Sequence, residues 1–95
     1  MRTIWKFPVP FSGGNIIMPK GAKVLTLQMQ YGVPTLWAEV DPDATIDEIH
    51  HLVVYGTGHL IDPGAGNYLG TFQEPPFVWH AYDTIVSPQA HENTA

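Results

Sequence analysis

Ala22-Lys23-Val24-Leu25-Thr26-Leu27-Gln28-Met29-Gln30-Tyr31 and, after Gly32-Val33-Pro34, Thr35-Leu36-Trp37-Ala38-Glu39-Val40-Asp41 are the two runs whose reading decides the fold. In an extended chain, successive side chains point to opposite faces. The first run then puts Leu25, Leu27, Met29 and Tyr31 on one face and Thr26, Gln28 and Gln30 on the other. The second opposes Leu36, Ala38 and Val40 to Trp37, Glu39 and Asp41. Period-two alternation of this kind is the mark of a half-buried strand. With Gly32-Val33-Pro34 as the turn, the pair is expected to form a β-hairpin.

Working outward from the hairpin, nine Gly and nine Pro punctuate the chain too closely for a helix of ordinary length. Strands are predicted over Thr3 to Phe7, Ile16 to Met18, Ile49 to Gly56, Asn67 to Gln73 and Phe77 to Ile85. Thr45-x-x-Glu48 has the spacing of a helix-capping box and allows one helical turn before the fourth connection ends. The segment from Thr57 to Gly66 is too long for a tight hairpin. The expected architecture is all-β: a small antiparallel sandwich or partly open barrel of six to seven strands, one domain over residues 1–86. A frayed tail is expected over 87–95, whose Ser87-Pro88-Gln89-Ala90-His91 start offers no large apolar anchor.

Ninety-five residues can build one core, hiding roughly 65% of the extended chain's surface. Three Trp, four Tyr and four Phe are more aromatic surface than so thin a monomer hides, so a homo-oligomer is expected. Cysteine is absent, which removes disulfides, thiolate metal sites and thiol catalysis, and fits a cytoplasmic setting. The opening Met1-Arg2-Thr3-Ile4-Trp5-Lys6-Phe7 lacks the apolar run of a signal peptide, and no stretch approaches the ~18 apolar residues of a membrane span. A net charge of -5 argues against binding to DNA, whose backbone needs cations.

Five histidines invite a metal reading. His50 and His51 are neighbours on a strand and point apart, and His91 lies in the tail, which leaves His59 and His80. Two ligands fall short of the three protein groups of a catalytic zinc site, so no metal or other cofactor is expected. Asp41-x-Asp43 begins like a calcium loop but lacks the Gly at its sixth position and the Glu at its twelfth, and is read as a turn. Ser12 and Ser87 have no nucleophile-elbow frame; Glu39, Asp41, Asp62 and Asp83 could supply paired carboxylates, but the sequence does not give their distances, and acidic residues on a rim are usually just solvated. The chain is therefore read as non-enzymatic.

Tyr55-Gly56-Thr57-Gly58-His59 is the segment that points to binding, because two glycines leave backbone bare for close approach. It matches neither the phosphate loop nor the dinucleotide fingerprint. Tyr68, Thr71, Trp79 and His80 follow at short range, and aromatic faces beside hydroxyls and imidazoles line pockets for flat rings. The expected ligand-binding set is Tyr55, Thr57, Gly58, His59, Tyr68, Thr71, Trp79 and His80. The competing expectation is that Tyr68, Phe72, Phe77 and Trp79 only fill the core.

Together with Ile4-Trp5-Lys6 and Leu36-Trp37-Ala38, the strings Tyr55-Gly56-Thr57-Gly58-His59, Tyr68-Leu69-Gly70-Thr71-Phe72-Gln73 and Phe77-Val78-Trp79-His80 resemble a family of small uncharacterised proteins of tailed bacteriophages and prophages. The likeness runs to about Tyr82. It departs at Leu60, where Pro is frequent in the family, and at His50-His51, where basic residues are common, which weakens a cationic site there. The resemblance implies a phage origin and no catalytic residues. On that footing two functions are expected: sequestration of a small ligand, a nucleotide signal of host antiviral defence being the example, or docking on a host or virion protein.

Overall fold

The computed structural model describes residues 1–86; the expected tail and His91 lie outside the described residues. Among the described residues, seven antiparallel strands form two open sheets, with no helix: β1 (Thr3–Pro8), β2 (Gly14–Pro19), β3 (Lys23–Gln30), β4 (Val33–Val40), β5 (Asp47–Gly56), β6 (Asn67–Glu74) and β7 (Phe77–Val86). The first sheet has the order β1-β4-β3 and the second β2-β5-β7-β6. Neither closes on itself, so the sandwich is realised and the barrel is not. No helix among the described residues is long and apolar enough to cross a membrane.

The core lies between the sheets. Leu36, Ala38 and Val40 of β4 are fully buried, and their cross-strand partners Phe7, Trp5 and Thr3 of β1 share their face. Leu27 meets Leu36 from the other side. Met18, Leu52, Phe72 and Ala81 answer from the second sheet. The layers come closest where β3 packs on β6: an added Cβ on Gly70 would stand 3.4 Å from that of Leu27, so glycine lets these two strands meet.

Three expectations need correction. The register of β3 slips between Val24 and Thr26, so Leu25 is the extra residue of a bulge and is 45% exposed instead of sharing the face of Leu27. The hairpin turn is Tyr31-Gly32, with φ of 50° and 78°, and Val33 and Pro34 belong to β4. A two-residue loop with both φ positive matches the twist of the flanking strands, which a turn at Gly32-Val33-Pro34 does not. Tyr31 is consequently almost wholly exposed and faces nothing in the core. Thr45-x-x-Glu48 caps no helical turn, because Glu48 lies in β5, where its carboxylate accepts from Gly21 N–H at 3.1 Å and contacts His50 at 3.2 Å.

The long connection from Thr57 to Gly66 has a topological cause. β7 sits between β5 and β6, so the chain must pass over β7 before β6 can pair with it. It is fastened on the way by Tyr55 OH, which accepts from Asp62 N–H at 3.4 Å, and by Thr84 Oγ1, which donates to Ala65 O at 3.2 Å. Asp41-x-Asp43 is a turn, with Asp43 N–H donating to Asp41 Oδ1 at 3.0 Å.

Candidate functional site

β5 ends at Gly56, directly opposite Trp79 of β7. The chain then turns back sharply: Thr57 N–H donates to Val78 O at 3.3 Å and His59 N–H to Gly56 O at 3.1 Å. Gly58 takes a φ of 89°, a conformation that favours glycine. Gly56 N–H donates to His59 Nδ1 at 3.2 Å, which puts the ring proton on Nε2 and leaves that N–H as a free-standing donor. The imidazole lies over Gly56 because nothing projects from that residue; a Cβ there would be 2.8 Å from His59 Cε1.

The other wall comes from β7 and the Pro75-Pro76 turn before it. Phe77 and Trp79 are two apart on the strand and stack with ring centroids 5.5 Å apart and planes 26° from parallel. Trp79 Nε1–H donates to Glu74 Oε1 at 3.4 Å, which pins the indole. Gly56, Thr57, His59, Pro76, Phe77, Val78 and Trp79 enclose a concavity of about 370 Å³. It carries an aromatic wall, an imidazole donor and no Lys or Arg. All four basic residues fall within the first 23 positions, Arg2 held by Glu39 and Lys6 by Gln30.

The eight residues expected from sequence divide into two groups. Thr57, His59 and Trp79 line the concavity, and Gly58 shapes its turn. Tyr55, Tyr68, Thr71 and His80 do not line it. His80 follows Trp79 on β7 and points to the opposite face, as alternation requires. There the four form a hydrogen-bonded and ring-packed network on the outside of the second sheet. His80 Nε2 and Thr57 Oγ1 share a hydrogen bond at 2.7 Å, His80 Nδ1 and Thr71 Oγ1 another at 2.9 Å, and Thr71 Oγ1 is bonded in turn to Tyr68 OH. Tyr55 and Tyr68 both pack edge-on against Tyr82. Thr57 is the one residue that joins both groups, so the outer network holds the turn that rims the concavity.

Phe77 was missed as a site residue: reading it as core overlooked that it is the first residue of β7, beyond the reach of the opposing sheet, and it is 55% exposed. Its alternation with Trp79 is the signal that places the two on one face. His59 and His80 are both engaged in local hydrogen bonds, and among the described residues no three His, Cys, Asp or Glu side chains form a metal-holding group. Glu39, Asp41, Asp62 and Asp83 each serve a different partner: Arg2, the Asp43 amide, the Gly64 amide and His50.

A family model for a domain of unknown function, DUF7352, matches residues 1–92. The chain belongs to this family. No curated protein and no solved structure matches it. For this DUF7352 chain, function therefore has to be argued from the geometry of its own residues.

Proposed function

We propose that this DUF7352 domain is a non-enzymatic binding protein that holds a small molecule bearing a flat ring with a hydrogen-bond acceptor. The observation that carries this reading is the stacked Phe77–Trp79 wall standing beside the Nε2–H of His59 around one concavity. Aromatic faces gain from stacking on planar rings, and one well-placed donor fixes the ring's orientation. A nucleobase is such a ring. With no cation in the lining, the sugar and phosphate of a nucleotide face solvent, and binding depends little on salt. The finer reading is a phage accessory protein that sequesters a nucleotide signal of host defence; the resemblance noted above supports it, and sequestration asks for no nucleophile.

A second reading is favoured by a separate observation. Among the described residues β1 and β2 are sheet edges with no further strand beside them, and Ile4, Trp5 and Ile17 on them are 57%, 42% and 58% exposed. Unpaired edges with apolar side chains accept a further strand, whether from a host or virion protein or from a second copy in a homo-oligomer.

The test is thermal unfolding with a panel of cyclic mono- and dinucleotides. A ligand that binds only the folded state raises Tm by mass action. Ring binding predicts a shift with at least one member, abolished in folded Trp79→Ala and His59→Ala variants. A transition that no member moves overturns the ring reading, and stoichiometric capture of one host protein by such a chain supports the second.

A further inference from the structure

A second concavity, of about 260 Å³, opens at the seam where β3 meets β6, and it shares no lining residue with the first. Its rim includes the exposed Tyr68, its walls Val24 and Ile85, and its floor the almost fully buried His50 and Asp83. His50 Nδ1 lies 2.7 Å from Asp83 Oδ2 and its Nε2 3.2 Å from Glu48 Oε2. With both carboxyl groups ionised, each ring nitrogen faces an acceptor and carries a proton, which makes the ring an imidazolium. Burial pushes against that charge, but the hydrogen bond and charge of Asp83, then those of Glu48, outweigh it and raise the His50 pKa above its ordinary 6.5.

The accounting of acceptors is what points to a ligand. Glu48 Oε1 takes Gly21 N–H, and Glu48 Oε2 and Asp83 Oδ2 take the two imidazolium N–H groups. Asp83 Oδ1 is buried with no hydrogen-bond partner among the described residues. Two carboxylates against one imidazolium leave one negative charge, and a buried anionic oxygen without a donor is costly.

We propose that the seam concavity is a binding site for a small organic cation, a primary ammonium or amidinium, whose N–H groups reach Asp83 Oδ1 while its carbon skeleton lies on Val24 and Ile85. A neutral ligand of the same shape corrects the hydrogen bond but not the charge, so the site discriminates by charge.

The probes are n-butylammonium and benzamidinium, with n-butanol as the uncharged match, titrated to tens of millimolar and read by NMR at the Asp83 carboxyl carbon and the His50 ring nitrogens. The proposal expects saturable shifts with the cations and none with butanol. Asp83→Asn should weaken the cation by about tenfold or more. Ala22→Phe, or Val24→Phe if the first does not fold, fills the concavity while keeping all three charged groups, and should abolish the shifts. Shifts shared by butanol, shifts retained in the filled variant, no saturation, or a crystal structure grown with the cation that shows only an ordered water at Oδ1 would each overturn it.

Discussion

The imidazole of His59 occupies the space that a side chain on Gly56 would fill, with an added Cβ 2.8 Å from its Cε1. The contact is with the far end of an exposed side chain, so Gly56→Ala should displace the ring at little cost to the fold. We expect a stability change within about 0.5 kcal/mol by urea unfolding, together with loss of any nucleotide-induced Tm shift. A destabilised Gly56→Ala protein, or one that still binds, would show that the ring does not rest there.

Gly58 and Gly66 both have positive φ, at 89° and 92°, yet their surroundings differ. Nothing lies near a Cβ on Gly58, whereas one on Gly66 would stand 2.3 Å from Asp83 O. Gly58→Ala should cost about 1 kcal/mol from backbone strain alone, and Gly66→Ala more than about 3 kcal/mol because the displaced atoms are backbone. Equal costs by chemical denaturation would contradict this account of the long connection.

The Tyr31-Gly32 turn places a bulky residue at a φ of 50°, where Asn is the favoured partner of Gly. Tyr31 packs on little, being 97% exposed. Tyr31→Asn should therefore stabilise the protein by about 0.5 kcal/mol, and a loss of stability would mean that the Tyr31 ring contributes packing.

Some of this was legible in the sequence and some was not, for physical reasons. Alternation located β4 within two residues because Leu36, Ala38 and Val40 face a dry core and Glu39 does not. The Leu25 bulge was hidden, since an inserted residue looks like any other until its partner strand is known. The turn was misplaced because Pro34 reads as a breaker, although in β4 its carbonyl accepts Val9 N–H at 2.8 Å. For the site, alternation puts Trp79 and His80 on opposite faces of β7, yet the two were expected in one set. Bringing Gly56 to Trp79, or His50 to Asp83 across 33 positions, requires the register of β5 on β7, which no local pattern encodes.

The buried imidazolium gives stability a direction with pH. Because the folded-state pKa of His50 is raised, its contribution is fully present below the ordinary value of 6.5 and is lost as pH rises through the raised value. His50 should still hold both ring protons as pH passes above 6.5, seen as its ring nitrogen shifts, and urea unfolding should show stability declining as pH rises through its raised pKa. A His50 ring that titrates below 6.5 would contradict the clamp between Asp83 and Glu48.

The ring-binding claim is tested most directly at the indole N–H of Trp79, which can be followed by NMR apart from those of Trp5 and Trp37 while nucleotides are added. The account predicts that a bound nucleobase moves the Trp79 indole and the His59 ring together and saturably, leaving Trp5 and Trp37 in place. Movement of Trp5 alone, or of no indole under conditions where binding is otherwise measured, would put the ligand elsewhere and end the case for this concavity.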